Sequence, residues 1–408
     1  MTYVGNVASP SVSRERPRLL FATLVLGLMP QGLGLMAVPP VLPEMAQAFG
    51  SRGALVAQMM MSLIGLGLML GGLASGWILD RLGPRRTLLT SLLLFAVGGS
   101  AGLFLRAPLP LLASRFVVGF VSACAATTCL SGISAQYTGT RRARALGIAS
   151  ALSAIAGLLS TLLSGWLAHL GGWSLAFIQF PVFGFGVFLV ALVGFAQIAP
   201  LGERLSRSGR SDYHGLAAFF LMVVLLFAIM SLGGTQLPFL LQEEGLREPA
   251  VRSMVLAAPT VTATLSSFGY GSLRKVLDAR GTLTLTLGTL FACQATIGLG
   301  SNASYAAVGA ALGGCCVGIV GPCLFQIVAD RAPERSRGQQ LGMLSAVMYL
   351  GIFLNPIVFA PMADVIGSRG VFGVSALIAG VLACLTALNV VLPARDSKRV
   401  QTNMPSEG

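Results

Sequence analysis

The chain has 408 residues, of which 55% are hydrophobic and 10% charged, with a mean hydropathy of +0.81 and a formal charge of +13. Soluble domains carry about 25% charged residues, so this chain lacks the polar surface needed to cover such an apolar interior in water. Its positive charges fall in short runs between apolar segments. That placement fits a membrane surface and sets aside nucleic acid as the reason for the charge.

A helix crosses the hydrocarbon core of a bilayer with about 20 mostly apolar residues. Twelve such stretches are predicted, at 18–42, 54–79, 87–106, 109–132, 145–168, 173–198, 215–240, 250–272, 281–300, 304–329, 339–365 and 370–393. Polar residues precede the first, which is span-length and is therefore read as a membrane span, not a cleaved signal. The eighth, rich in Ser, Thr and Gly, is the least apolar, and the third and fourth nearly touch. The predicted fold is an all-α membrane protein in two pseudo-symmetric six-helix bundles, 18–198 and 215–393. A cytoplasmic tail at 1–17, a basic cytoplasmic linker at 199–214 and a cytoplasmic tail at 394–408 complete the expected organisation.

The basic residues orient the bundles. With the N-terminus inside, the inner segments hold Arg14, Arg16 and Arg18; Arg81, Arg85 and Arg86; Arg141, Arg142 and Arg144; Arg204, Arg207 and Arg210; Arg274, Lys275 and Arg280; Arg331, Arg335 and Arg337; and Arg395, Lys398 and Arg399. The outer segments hold only Arg52, Arg106, Arg247, Arg252 and Arg369. Twenty-one against five follows the positive-inside bias, so both termini are expected in the cytoplasm of a multi-pass plasma-membrane protein, a bacterial inner membrane being the expected setting. Two six-span halves joined by a linker predict a transporter with its solute bound between them near the midplane. Gly67 and Gly71, like Gly72 and Gly76, are four residues apart, a spacing that lets helix backbones approach closely.

The segment GWILDRLGPRRTLL at 76–89 follows the second stretch. Gly83-Pro84 predicts a tight turn, with Asp80 at the end of the span and arginines at headgroup level. It resembles the signature loop between the second and third helices of the major facilitator superfamily, matched by Gly76, Asp80, Arg81, Gly83 and Arg85 or Arg86, with Pro84 in place of an arginine. The resemblance implies that Asp80, with Arg81 and Arg85, forms a charge lock against the other half that holds the outward-open state. A looser echo, GSLRKVLDARG at 271–281, carries Gly271, Asp278, Arg280 and Gly281. Arg115 is the one charge expected deep in a span, a position that requires a partner, snorkelling or an aqueous lining. Arg115 and Gly119 resemble the fourth-helix motif of the same superfamily, which implies a role for Arg115 in proton coupling. The Gly-Pro pair that drug/proton antiporters of the family carry in the fifth helix is replaced here by Ser160-Thr161.

The fourteen acidic residues all fall in loops or near span ends. A neutral, anionic or amphipathic cargo is therefore expected. Glu44 and Asp364 come nearest to a span interior, and a surface position is expected for both. Gln31, Gln236 and Asn355 are candidates for the substrate cavity, because a polar side chain in hydrocarbon needs a partner or a wet face. Pro30 and Pro356 are expected to break their helices. Nothing predicts a catalytic centre, a cofactor or a metal. The seven cysteines fall in apolar segments without ligand spacing, and the two histidines are widely separated. The function expected is proton-coupled efflux of a small hydrophobic or amphipathic compound by a monomer. The alternatives are an uptake symporter or facilitator of a small neutral or anionic metabolite, and a non-transporting membrane receptor or structural protein.

Overall fold

The computed structural model describes residues 17–50, 53–194, 217–331 and 337–388, all of them helix or short connections. The linker 199–214 and the tails, Pro17 excepted, lie outside the described residues. Local chemistry explains where helices stop. The first stretch is divided into α1 (Pro17–Leu26), α2 (Met29–Met36), a 3-10 turn (Pro39–Val41) and α3 (Leu42–Ala48). A proline opens each of the last three, because proline has no N–H to donate and suits the first helical turn. Pro30 thus stands at a helix break, as expected.

The chain continues as α4 (Gly53–Gly99), α5 (Ala101–Phe104), α6 (Pro108–Gln136), α7 (Gly139–Gly171), a 3-10 segment (Trp173–Ile178) and α8 (Gln179–Gly194). From residue 217 on come α9 (Ala217–Met230), α10 (Leu232–Thr235), α11 (Leu237–Glu243), α12 (Pro249–Val276), α13 (Ala279–Leu299), α14 (Ala303–Arg331) and α15 (Arg337–Ala387). The two longest helices are interrupted, α4 at Gly83 (φ 77°, ψ 161°) and α15 at Gly367 (φ 74°, ψ 164°), conformations that side chains other than hydrogen disfavour. Pro356 does not break its helix. It lies within α15, whose one non-helical residue is Gly367.

Among the described residues, nine segments are long and apolar enough to cross a membrane, and the chain has an all-α, multi-pass membrane fold. The 53–104 and 339–387 segments each run through one of the two glycine breaks. Helix α12 is not among the nine, since serines, threonines and basic residues dilute its apolar surface.

The buried apolar clusters follow the sequence. One draws its members from Phe219 to Leu382, whereas Leu24 to Ala191 supply the buried members of the others. Close helix contact occurs where glycines permit it. A Cβ on Gly67 or Gly71 of α4 would stand 2.3 or 2.4 Å from the carbonyl oxygens of Phe116 and Phe120 on α6, whereas Gly72 faces open space. The first of the expected glycine pairs therefore packs helices.

Connections at one end are linked by direct contacts. Phe49 meets Trp173 with ring centroids 5.9 Å apart, and Arg106 lies 5.0 Å over the same indole. Arg252 pairs with Glu44 and donates to the Arg247 carbonyl at 2.8 Å. Arg369 pairs with Glu244 at 2.6 Å and donates to the Gly300 carbonyl. This is the Glu44 end. At the opposite, Asp80 end, Phe21 packs on Tyr137 and Arg280 Nε donates to the Thr386 carbonyl.

Candidate functional site: a polar seam between the two parts of the chain

Uncharged polar side chains stitch the N-terminal part (17–194) to the C-terminal part (217–388). Gln31 on α2 donates through Nε2 to the Tyr349 hydroxyl of α15 at 2.5 Å. Ser62 on α4 donates to the Phe353 carbonyl at 2.5 Å. Gln236, at the α10–α11 joint, donates through Nε2 to Gln58 Oε1 on α4 at 3.1 Å. Gln58 and Gln236 are buried, which an amide tolerates only when paired.

Asn355 lies behind this seam, fully buried in the C-terminal part. Its Nδ2 donates to the Ala228 carbonyl at 2.7 Å, and its Oδ1 accepts from Thr235 Oγ1 at 2.7 Å. The amide therefore bridges the broken run α9–α10. The three expected cavity residues thus divide, with Gln31 and Gln236 bonding across the seam and Asn355 bonding within one side. A cavity of ≈ 390 Å³ adjoins the seam towards the Glu44 end, lined by Leu55, Gln58, Gln236, Phe239, Glu243 and Asp364 among others.

Gln58, Ser62 and Tyr349 are seam residues that sequence reasoning passed over. Gln58 had the same signal as Gln31, a lone amide in an apolar stretch. Ser62 and Tyr349 had none, since serines and tyrosines are common in spans. None of the three seam bonds uses a charged group; a charged contact between the two parts, Arg252 with Glu44, lies at the end of the molecule.

The buried charges lie elsewhere. Arg115 is sealed inside the N-terminal part, with its guanidinium 4.9 and 4.8 Å over the rings of Phe177 and Phe180. It donates through Nη2 to the carbonyls of Gly98 at 3.2 Å and Gly99 at 3.0 Å. Those are the last carbonyls of α4, groups a helix end leaves without intrahelical partners and which carry its negative dipole end. Arg252 is a second fully buried arginine, placed in the first turn of α12 rather than deep in a span. Its partner Glu44 corrects the expectation of a surface position, being bonded and only 23% exposed.

Gly76 is half-buried and Asp80, Arg81 and Arg85 are exposed at the other end. Arg81 stacks on Trp77, its Cζ 4.1 Å from the ring centroid. Asp80 makes no ion pair with the described residues in this conformation. In the loop echo, Asp278 caps α13 by accepting from the Gly281 N–H at 2.7 Å. Among the described residues no three His, Cys, Asp or Glu side chains are grouped to hold a metal, and their cysteines are free thiols.

The sequence matches the family model described as Major Facilitator Superfamily over residues 24–356 and again over 218–405. It is 28% identical over 236 residues to an uncharacterized MFS-type transporter of Mycobacterium tuberculosis, in each of the strains CDC 1551 / Oshkosh and ATCC 25618 / H37Rv. The match covers 56% of this chain and 32% of each relative, so the chain spans about a third of their length. In fold it is similar to a mutant of the nucleoside transporter NupG, with a TM-score of 0.73 at 13% identity, covering 91% of this chain and 99% of the other. It is likewise similar to an auto-inhibited POT family peptide transporter, with a TM-score of 0.75 at 12% identity, covering 92% and 97%.

Proposed function

We propose that this chain, which belongs to the major facilitator superfamily, is a secondary transporter that carries a small uncharged, hydrogen-bonding solute by alternating access. The observation that carries this reading is the seam itself. Its bonds use amides, hydroxyls and a backbone carbonyl, groups that can exchange partners with a neutral polar solute without exposing a charge. Parting the seam costs only a few neutral hydrogen bonds, each of about 1 kcal/mol net.

The twelve-span count belongs to the same proposal. Taking the breaks at Gly83 and Gly367 as turns and α12 as a span adds three to the nine apolar segments. Two halves of six are favoured by a shared joint. Gly172 (φ 78°, ψ 172°) precedes the last helix of the first half as Gly367 precedes that of the second. The charge bias places the Asp80 end and both termini in the cytoplasm, and a complete path within one chain makes a monomer sufficient. In this conformation the outer end is closed. The proposed lock of Asp80, Arg81 and Arg85 would engage in the opposite one. Arg115 would influence coupling by fixing the end of α4 against α8.

Inward movement of a polar solute has better support than outward movement of a hydrophobic one. The antiporter Gly-Pro pair is absent at Ser160-Thr161, the seam has no carboxylate for a cationic drug, and the two similar structures are described as nucleoside and peptide transporters. The test is uptake by the purified chain in vesicles, using labelled nucleosides, dipeptides and neutral sugars with and without an inward proton gradient. The expected result is gradient-driven accumulation of one class with proton entry. Transport confined to outward movement of apolar cations would overturn the proposal.

A further inference from the structure

Glu44 and Arg252 hold the Glu44 end shut in a way the seam does not. Glu44 Oε1 accepts from Arg252 Nη2, and the same Nη2 reaches the Pro40 carbonyl at 3.2 Å. Nη1 donates to the carbonyls of Leu246 at 3.1 Å and Arg247 at 2.8 Å. One guanidinium therefore ties the 3-10 turn and α3 of the first half to the lead-in of α12 in the second. Beside it Gly165 of α7 packs on the start of α12, where a Cβ would stand 2.5 Å from the Pro249 carbonyl.

The pair is incomplete. Glu44 Oε2 and Arg252 Nε are both buried without a hydrogen-bond partner. A buried carboxylate oxygen with no donor is costly, and the group that relieves it must supply a hydrogen. We infer that Glu44 is a proton-binding site whose occupation releases Arg252 and opens the end of the molecule that this pair holds closed. The inference rests on the alternating-access reading.

The step balances simply. Hydronium from water at that end gives its proton to a Glu44 oxygen, one O–H bond forms, a water molecule remains, and the carboxylate loses its charge. Arg252 keeps all its protons and its carbonyl acceptors at Leu246 and Arg247. The ion pair forms only in the closed conformation and only with Glu44 ionised, so a proton binds in preference to the open one and shifts the population towards it.

The elements packed on this corner carry few other titratable groups. His169 is in the last turn of α7. On α11 and just after it, Glu243 accepts from Ser368 and Glu244 pairs with Arg369. Arg247 and Glu248 on the approach to α12 are exposed, and the described start of α4 has none. Among the described residues Arg252 alone bonds the Glu44 carboxylate.

The experiment uses the full chain in nanodiscs with the exposed Cys384 replaced by serine. Spin labels at Leu109→Cys and Val251→Cys report the width of the Glu44 end, and labels at Gln136→Cys and Val276→Cys report the other. Acidification should widen the first distance in the parent. Glu44→Gln should hold the wide distribution at every pH, with a closed-to-open ratio lower by about tenfold, the loss of one charge-assisted bond. Arg252→Met should also lose the acid response, and it carries the test if Glu44→Gln does not fold. A parental acid response in either variant would overturn the role of Glu44 while leaving transport intact. Distances fixed at both ends under every pH and solute would instead remove the alternating-access reading.

Discussion

A guanidinium enclosed by helices needs partners for its donors, and Arg115 finds them for Nη2 at the end of a neighbouring helix, whereas Nη1 is buried without one. Two carbonyls from Gly98 and Gly99 and two aromatic faces from Phe177 and Phe180 replace water around it. Replacement by leucine removes those donors and leaves the carbonyls bare, at a cost of about 3 kcal/mol. Arg115→Leu should therefore lower the apparent Tm in detergent, as followed by intrinsic fluorescence, and should reduce transport with it. An unchanged Tm alongside lost transport would show that Arg115 acts on coupling directly. The sequence marked Arg115 because a charge in an apolar run stands out. It did not mark Arg252, which sits at the start of a polar helix and reads as one more loop charge. Burial of Arg252 comes from α3 and the 3-10 turn closing over it, contacts made by residues some 210 positions away, at Glu44 and Pro40.

At the scale of helices, close approach separates glycines that pack from those that do not. Gly71→Val on α4 would drive its side chain into the Phe120 carbonyl, whereas Gly72→Val would enter open space. The first should lose about 2 kcal/mol, the usual cost of overpacking, and the second should be near neutral, as thermal unfolding of the two variants would show. Equal losses would mean that α4 and α6 are not in contact there. A second contrast concerns turns. Gly83→Ala and Gly367→Ala place a Cβ at positive φ, costing about 1 kcal/mol or more each. Pro356→Ala, within the helical stretch of α15 that precedes Gly367, should stabilise that helix. The period of apolar stretches made most helices legible, and the Gly83-Pro84 pair disclosed the first turn. Gly367 falls between the predicted stretches 339–365 and 370–393, so that turn was located by hydropathy without its residue being singled out. The prolines misled in one case. Pro30 heads a helix, but Pro356 is carried through one, with Asn355 beside it anchored to the Ala228 carbonyl.

For the whole molecule, family membership and an all-α membrane fold were legible because they rest on composition and on one loop motif. Which groups face one another across the two parts was not, since those pairings lie between positions roughly 180 to 320 residues apart, as in Gln58–Gln236 and Gln31–Tyr349. The uncharged seam is the feature on which the proposed neutral polar cargo rests. Loosening it should be detectable without knowing the solute. Gln58→Leu leaves Gln236 with a buried unmet donor and should destabilise the closed form by about 2 kcal/mol, widening the Glu44 end. The most direct measurement takes the two label pairs, Leu109 with Val251 and Gln136 with Val276, in one preparation across a pH and solute series. Alternating access predicts opposite changes, the Glu44 end widening as the Asp80 end narrows. Two ends that stay fixed, or that widen together, would contradict it.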